Sequence, residues 1–393
     1  MYYRPVAPVL PAGERGSGMS LDDRIRDAQH RIEELWNETD GKCYVSFSGG
    51  KDSTVLLALI KMCQDLYTVG DIPAVFSNTG IELGVTVDFV RWVKENYYPN
   101  VQVIRPVKSF DWVLKNEGKP VKSKMKSKDL HQYHYGKRTE KLLLLLIGKA
   151  GTGKSSAKHK LGDKDMHLLH DDLDIVPSDK CCAWMKKKPF EKYAKDTGMK
   201  GAMQGVRQGE GGARDSAVTT RLWRGGKLCT WVKNGIIQKA PIIDWSDEDV
   251  EEFIQKYNVP LSDAYTKYGF KRTGCMGCPY SRDIASGLEY LWKHEPNRYK
   301  ASMHWLKDVY ILQNVSLPFD QSYERERERE WHERYEPMRQ EMLRKYRPNS
   351  RLIKDAEQMD IFDYLKEEDD GTGNDKTVET SLQYRTGFRQ RQP

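Results

Sequence analysis

A short glycine-rich segment constrains this 393-residue chain more than any other feature of its sequence. The segment is Ser48-Gly49-Gly50-Lys51-Asp52-Ser53, between a β-rich run at 43–47 and a helical pattern of apolar residues at 54–66. A loop that joins a strand to a helix start points unpaired backbone NH groups at an anion, and glycines let the backbone approach it closely. The order predicts a strand, a phosphate-binding loop and a helix, with an ordinary glycine turn as the alternative.

The next part of the chain alternates strand-like and helical patterns. Residues 74–76 and 101–104 are short β-rich runs, and residues 85–97 between them have helical spacing. Sheet character returns at 201–206 and at 239–243. Strands that alternate with helices at this pitch predict an α/β fold, a parallel twisted sheet with helices on both faces.

Two further helices have N-terminal signals. Ser20 with Asp23 predicts one helix start, and Ser246 with Asp249 predicts another for a helix that runs to Tyr257. Each start combines a serine N-cap with an acidic side chain in the first turn.

Composition divides the chain into four parts. Residues 1–18 are a predicted disordered leader, and residues 19–300 form the α/β domain, with a basic insertion at about 115–178. Residues 301–365 are a predicted helical extension, and the acidic, glycine-containing end at 366–393 is a predicted disordered tail.

The extension contains a charged helix with an apolar stripe. Glu and Arg alternate from 324 to 330. The apolar residues that follow are Trp331, Tyr335, Met338, Met342 and Leu343. This pattern predicts a packing element or a contact between copies of the chain, and not a catalytic element.

Four of the seven cysteines have a spacing that suits a soft metal. Cys181 and Cys182 are adjacent, and Cys275 and Cys278 are two residues apart in a turn-like Cys-Met-Gly-Cys segment. Four thiolates in this layout can share one centre, which favours an iron-sulfur cluster over the four-thiolate zinc alternative.

The cysteine count and the hydropathy also indicate where the protein works. Seven is an odd number for a disulfide framework, and the first 19 residues lack the apolar stretch of a secretory signal. The longest apolar run, at 142–147, is too short to span a bilayer. We therefore expect a cytoplasmic protein that has no membrane partner.

A lysine-rich stretch predicts contact with a polyanion. Residues 119–160 hold twelve Lys or Arg against only Asp129 and Glu140. The aromatic and histidine side chains among them are His131, Tyr133, His134 and Tyr135. Lysines neutralise phosphates and aromatic faces stack on unpaired bases, so DNA or RNA is the expected partner. The alternative is a solvated lysine-rich loop.

A second glycine-rich segment competes for the nucleotide. Gly148-Lys149-Ala150-Gly151-Thr152-Gly153-Lys154-Ser155 matches the P-loop NTPase pattern, and 142–147 is its potential strand. The residues after Ser155 are too polar and short for the helix that this pattern needs. We therefore predict a basic glycine-rich loop, with a kinase-like NTPase as the alternative.

Six motifs occur in a set order along residues 40–300. They are Ser48 to Ser53, Ser77-Asn78-Thr79-Gly80-Ile81-Glu82, Lys180-Cys181-Cys182 with Lys186-Lys187-Lys188-Pro189, Gly205-Val206-Arg207, Pro241-Ile242-Ile243-Asp244-Trp245, and Lys271-Arg272-Thr273-Gly274-Cys275-Met276-Gly277-Cys278. In this the chain resembles the phosphoadenosine phosphosulfate reductase-like family of the PP-loop ATP pyrophosphatases, whose fold is adenine nucleotide alpha-hydrolase-like.

The resemblance implies a set of ligands. ATP, with Mg²⁺, would bind Ser48, Gly49, Gly50, Lys51, Asp52, Ser53, Thr79 and Glu82. A 4Fe-4S cluster would bind Cys181, Cys182, Cys275 and Cys278. Lys51, Asp52 and Arg207 would be the catalytic residues, with Arg207 holding a phosphate or the activated acceptor bidentately.

Two departures from the family pattern direct the functional hypothesis. Reductases of this family attack with a cysteine near the C-terminus, whereas no cysteine follows Cys278, and Asn78 stands where Asp is usual. Of the other thiols, Cys43 and Cys63 fall in the predicted core, where inert packing is expected.

Similar chains without the reductase cysteine include ATP-using sulfurtransferases of DNA phosphorothioation. By this resemblance ATP would adenylate an acceptor, and sulfur from a cysteine desulfurase or another donor would displace AMP. A sulfonucleotide reductase that uses an external thiol, and a non-catalytic nucleotide-binding subunit of a defence or mobile-element complex, are the alternatives.

Overall fold

A computed structural model of the chain describes residues 19–150, 154–208, 222 and 227–353. The predicted leader at 1–18 and the predicted tail at 366–393 lie outside these ranges. Within the described ranges, no helix has both the length and the apolar character needed to cross a membrane.

Six strands form a single, mostly parallel sheet. They are β1 Cys43–Ser46, β2 Ala74–Ser77, β3 Val101–Ile104, β4 Gly201–Gln204, β5 Thr230–Lys233 and β6 Ile236–Lys239. Their order is β3-β2-β1-β4-β6-β5, and only β5 runs antiparallel to its neighbour.

Helices connect and flank the strands. In chain order they are α1 Leu21–Glu38, α2 Lys51–Asp65, α3 Gly84–Asn96, α4 Phe110–Glu117, α5 Lys124–Tyr135, α6 Glu140–Leu146, α7 Lys154–Ala157, α8 Lys188–Thr197, α9 Asp247–Lys256, α10 Asp263–Thr266, α11 Ile284–His294, α12 Pro296–Leu312, α13 Gln321–Glu330 and α14 Glu336–Tyr346. The described ranges also contain a 3₁₀ turn at Asp163–Leu169 and wide π turns at Ala183–Lys187 and Trp331–Tyr335. The predicted N-caps at Ser20 and Ser246 are both present, and each forms a capping box with the aspartate three residues later.

Both faces of the sheet are covered, which confirms the predicted α/β fold. Side chains of a strand alternate between faces. Val45 packs with α1, α2, α3 and α9 on one face, whereas Tyr44 packs with Tyr193 and Ala194 of α8 on the other. Both faces of this part of β1 are buried, as a parallel sheet requires.

The predicted strand at 239–243 is wrong in its position. β6 ends at Lys239, and Pro241, which has no NH to continue the ladder, lies in the turn that follows. Ile242 and Ile243 are buried, but as turn residues. The overlooked signal is Asn234-Gly235, whose positive φ angles of 51° and 76° form the tight turn between β5 and β6.

The insertion and the C-terminal helices share one hydrophobic core. Buried residues of α4 to α6 pack in the same cluster as Leu306, Trp331 and Leu343. The cluster also contains Cys181 and Met276. The apolar stripe is thus a packing element within the chain, and these side chains are not available for contact with a second copy. Residue 300 lies inside α12, so the helical extension joins the domain without a break.

Candidate functional site

The segment 48–53 lies where the chain changes direction in the sheet. From β1 the chain moves outward to β2 and β3, and it later returns to the other side of β1 with β4 and β6. Ligands of open α/β sheets bind at such switch points, outside the carboxyl ends of the strands. Gly49 has a positive φ of 70°, and α2 begins at Lys51, two residues later. This confirms the predicted order of strand, loop and helix.

Two serine side chains shape the loop. Ser48 and Ser53 contact each other through their hydroxyls at 3.0 Å, and the Ser48 Oγ accepts a hydrogen bond from the Gly50 NH at 3.3 Å. The Ser53 Oγ donates to the Gly50 carbonyl at 2.8 Å. A methyl group on Gly205, just after β4, would lie 2.7 Å from the Asp52 carbonyl oxygen. The end of β4 thus packs directly against the first turn of α2.

Arg207 is engaged by protein groups, in contrast to the phosphate contact that the sequence predicts. Its side chain is buried, its Nε donates to Asp52 Oδ1 at 2.8 Å, and its Nη2 donates to Asp247 Oδ1 at 2.6 Å. The hydrogen bond from Arg207 lowers the pKa of the Asp247 carboxyl. This geometry favours a positioning role for Arg207, which fixes Asp52 at the loop. The catalytic roles of Asp52 and Arg207, and a magnesium contact of Asp52, stay predictions.

Lys51 occupies the first helical position of α2. Its Nζ lies 3.6 Å from Glu251 Oε1, a pair that is open to solvent on the glutamate side. Its backbone NH donates to the Tyr265 hydroxyl at 3.2 Å. The Lys51 charge is therefore close to the anion-binding end of the helix. Its ion pair with the exposed Glu251 is weak, so Lys51 can leave it to contact a bound anion.

The predicted nucleotide residues Thr79 and Glu82 are engaged with each other. Both are buried, and the Thr79 NH and hydroxyl donate to the Glu82 carboxylate at 3.0 and 2.6 Å. Their loop connects the two candidate sites, because Glu82 forms an isolated backbone bridge with Cys275 and the Met276 NH donates to the Ile81 carbonyl at 2.7 Å. Thr79 and Glu82 brace the loop, and a direct nucleotide contact stays a prediction.

The four cysteines converge. Each thiol lies close enough to the other three for their charges to influence one another's pKa. Cys181 is buried, whereas Cys182, Cys275 and Cys278 are half-buried. The Cys275–Cys278 turn is held by Gly277, with a φ of 57°, whose carbonyl accepts a hydrogen bond from the Tyr310 hydroxyl at 2.6 Å.

Positive charge surrounds this thiol group. The pKa of Cys182 is lowered by a hydrogen bond from Cys181, and the nearby Lys124 and Lys186 favour its thiolate. The Cys275 thiolate raises the pKa of the Lys186 ammonium, to which it is hydrogen-bonded. The side chains of Lys124 and Lys186 are both partly open to solvent, and we call the thiol group with these two lysines the cysteine recess.

Four cysteine thiols are the donor set of an iron-sulfur cluster or of a zinc site, and which of the two they would hold stays a prediction. In the part of the chain that the structure describes, no group of three or more His, Cys, Asp or Glu is arranged to hold one metal ion. In a cluster the thiolates bind different iron atoms, so their sulfurs need not meet at one point. Four mutually close thiols beside two ammonium groups suit that requirement.

A family model agrees with the motifs and their geometry. The model of the phosphoadenosine phosphosulfate reductase domain matches residues 42–146 and 139–281, which is more than half of the chain. This chain belongs to the phosphoadenosine phosphosulfate reductase domain family. The predicted family is thereby confirmed.

Two curated proteins are similar to this member of the family. An uncharacterised protein of Methanocaldococcus jannaschii is 25% identical over 277 residues, which cover 66% of this chain and 50% of that protein. An adenosine 5'-phosphosulfate reductase of Neisseria meningitidis is 24% identical over 155 residues, 38% of this chain and 57% of the reductase. The chain thus spans about half the length of the curated relatives that it matches.

Two solved structures have a weaker similarity. A PAPS reductase from Candida auris, in a phosphate complex, is 16% identical, with a TM-score of 0.36 over 66% of this chain and 97% of that one. A U34-tRNA thiolase from Methanococcus maripaludis, with its 4Fe-4S cluster, is 11% identical, with a TM-score of 0.34 over 78% and 85%. These scores are too low to support an argument about this family member.

The other cysteines have no place in the site. Cys43 and Cys63 are fully buried in the main core, and burial raises their pKa to about 11 and about 12. Cys229 is half-buried beside β5. The predicted inert packing of Cys43 and Cys63 agrees with this burial.

The P-loop interpretation of 148–155 is contradicted by the structure. Its potential strand at 142–147 is the helix α6 and its C-cap, with Thr139 as the N-cap. A P-loop needs a strand before the glycines and a long helix after them, whereas α7 is a single turn. Residues 151–153 lie outside the described ranges.

The predicted nucleic-acid grip over 119–160 needs correction in its aromatic part. Tyr133 is buried, and ring nitrogens of His131 and His134 hydrogen-bond to backbone carbonyls. Only Tyr135, 53% exposed, is open enough to stack on a base. Among the lysines, Lys119 pairs with Asp308 at 2.5 Å and Lys122 with Asp165 at 2.7 Å. Hydrophobic residues between the lysines bury this segment in the core, which charge counting alone does not indicate.

Proposed function

We propose that this chain is an ATP-dependent iron-sulfur enzyme that activates an acceptor by adenylation for sulfur transfer, with nucleic acid as the acceptor. One observation carries the proposal: the loop at 48–53 and the four cysteines are joined through short protein contacts. Glu82 bridges to Cys275, and the Lys51 NH reaches Thr273, two residues before Cys275, through the Tyr265 hydroxyl.

The chemistry follows from the loop. ATP phosphates lie on the backbone NH groups at the α2 N-terminus, where the helix dipole favours negative charge. An acceptor oxygen attacks the α-phosphorus, the bond from the α-phosphorus to the oxygen that bridges to the β-phosphorus breaks, and pyrophosphate leaves with that electron pair. Lys51 stabilises the charge that develops on pyrophosphate. The terminal sulfur of a persulfide donor then attacks the activated atom of the acceptor, and AMP leaves with the electron pair of the broken bond. An external thiolate attacks the donor's inner sulfur in the resulting disulfide, so that one sulfur stays on the acceptor as a thiolate and the donor leaves as a mixed disulfide.

The cysteine site would supply the sulfur step. Cys181, Cys182, Cys275 and Cys278 would hold the 4Fe-4S cluster, which when bound provides a site for handling a sulfur nucleophile. The ammonium groups of Lys124 and Lys186 attract an anionic sulfur donor to this recess. Cys43 and Cys63 are too deeply buried to serve as donors themselves.

The proposal is tested by following ATP. The anaerobically purified protein, given ATP, a persulfide donor and nucleic acid, is expected to release pyrophosphate and AMP in equal amounts. Sulfite release from an adenylated sulfate, with no pyrophosphate from ATP, would favour the reductase alternative, which the similarity to the Neisseria meningitidis reductase supports. Tight ATP binding without either product would favour a non-catalytic subunit.

The acceptor surface is better placed at the mouth of the cysteine recess than along the whole basic insertion. Lys124 lies beside Cys182, Lys128 is one turn later on α5, and Lys187 follows the Cys181–Cys182 pair in the chain; all three are exposed. Lys188 lies 2.9 Å from the ring centre of Trp184. Each lysine that neutralises a phosphate releases a counterion, so binding weakens steeply with salt. Within the described residues, Lys124, Lys128 and Lys187 have no ion pair with a carboxylate, in contrast to Lys119 and Lys122, whereas Lys124 contacts Cys182.

Replacing Lys124, Lys128 and Lys187 together by Gln is therefore expected to weaken single-stranded nucleic-acid binding and to lower the slope of log affinity against log salt by about 2. Fluorescence anisotropy over a salt series measures both. The matched control is Lys42, Lys61 and Lys94 to Gln. Lys42 precedes β1, and the other two are near the C-terminal ends of α2 and α3, so all three lie at the opposite sheet edge. Equal slopes for the two triple variants, or no binding by the wild type at low salt, would remove nucleic acid from the proposal.

A further inference from the structure

The Tyr265 side chain lies over the nucleotide loop, although it is more than 200 residues away in sequence. Its hydroxyl accepts a hydrogen bond from the Lys51 NH at 3.2 Å and another from the Thr273 NH at 3.3 Å. The Thr273 hydroxyl lies 3.2 Å from the same oxygen. Tyr265 is thus a direct contact between the start of α2 and the segment at 271–278.

Valence fixes the direction of these hydrogen bonds. A phenol oxygen has two lone pairs and one proton. The two NH groups of Lys51 and Thr273 use both lone pairs, so the phenol proton is donated to Thr273 Oγ1. Every hydrogen-bonding position of the Tyr265 hydroxyl is then filled by the loop or by Thr273.

The two hydroxyls are packed tightly on the loop. A methyl group placed on Gly50 would lie 3.1 Å from Thr273 Oγ1 and 3.3 Å from the Tyr265 hydroxyl oxygen. They therefore occupy the space above Gly50 that the first phosphate oxygen on this loop would approach.

The segment held by Tyr265 carries two of the cysteines. Cys275 lies two residues after Thr273, and its backbone bridges Glu82. A phosphate oxygen that takes the Lys51 NH competes with the Tyr265 hydroxyl for the same donor. Occupation of the loop thereby removes one of the contacts that fix Thr273 and the turn after it.

From this geometry we infer that Tyr265 is a positioning residue whose hydroxyl takes a phosphate position on the loop and couples phosphate binding there to the Cys275–Cys278 segment. The inference rests on the proposed function for the identity of the ligand, a nucleoside triphosphate. The contacts themselves belong to the ligand-free protein and are tested without any ligand.

The test is Tyr265→Phe in the full chain, which keeps the ring and removes only the hydroxyl. Without ligand, hydrogen-deuterium exchange in the peptide 271–278 is expected to become about three- to tenfold faster, as for the loss of one or two hydrogen bonds. The affinity for α,β-methylene-ATP, measured by calorimetry, is expected to rise by about the same factor, because the phosphate no longer competes with the hydroxyl. A residue that only stabilised the fold would change affinity in the opposite direction.

The matched control is Tyr268→Phe, three residues later, whose ring packs on Tyr290 and His294. It is expected to match the wild type in both measurements. Unchanged exchange in Tyr265→Phe, weaker binding of the analogue, or equal effects in the control would each overturn the inference. An analogue that binds neither protein would contradict the proposed function, whereas the exchange rates without ligand would still decide the role of Tyr265.

Discussion

Replacing Lys51 by alanine is expected to lower the rate of pyrophosphate release from ATP by about 100- to 1,000-fold, the range for loss of one preorganised group at a developing charge. Lys51 stands at the first position of α2, and its ammonium pairs with the exposed Glu251 and also acts on the Asp247 carboxyl. The same pair contributes less than about 1 kcal/mol to folding, so the variant should keep the wild-type melting temperature within a few degrees.

Lys154→Ala is the informative control for this prediction. Lys154 holds the equivalent place in the second glycine-rich segment, but the helix α6 stands where that motif needs a strand. We expect wild-type pyrophosphate release from Lys154→Ala. If Lys154→Ala were inactive and Lys51→Ala active, the nucleotide would bind at the second segment and the proposed site would be wrong.

The elements next to the nucleotide loop could be predicted because their signals are local. Ser20 with Asp23 and Ser246 with Asp249 each satisfy helix NH groups within four residues, so the helix starts depend on little else. Buried parallel strands are short apolar runs, and β1, β2 and β3 all appear within a residue or two of the prediction.

The wrong predictions concern elements whose structure depends on contacts between residues that are distant in sequence. A short run of leucines is compatible with either a buried strand or a buried helix. Residues 140–146 form a helix because Thr139 caps it and because Leu146 packs in the core that the insertion shares with the C-terminal helices. The same core buries Tyr133, which composition alone placed on a nucleic-acid surface. Neither environment can be derived from neighbours in sequence.

The candidate site also contains residues that the sequence could predict and residues that it could not. The loop glycines and the paired cysteines have spacings that specify chemistry by themselves. The partners of Arg207 could not be predicted from spacing, because Asp52 and Asp247 lie 155 and 40 residues from it. Tyr265 has no motif at all, because its role depends on a single hydroxyl that the fold brings over Gly50.

Changing any one of the four site cysteines to serine is expected to remove the visible absorption of the anaerobically purified protein and to reduce its bound iron and acid-labile sulfide to background. The four thiols lie close enough to influence one another, and the ammonium groups of Lys124 and Lys186 lie beside them. A cluster that loses one of four ligands exposes an iron atom, and serine is a poor ligand for this soft metal.

Cys229→Ser is the matched control, because Cys229 is half-buried like three of the site cysteines but lies beside β5. It should retain wild-type iron. A colourless wild-type protein with one zinc ion, lost in the same four variants, would replace the cluster by a structural zinc site. The sequence spacing allows both metals, but a zinc ion needs its sulfurs about 2.3 Å away from one point. The cluster is the expected result, because four thiolates can bind the different iron atoms of one cluster.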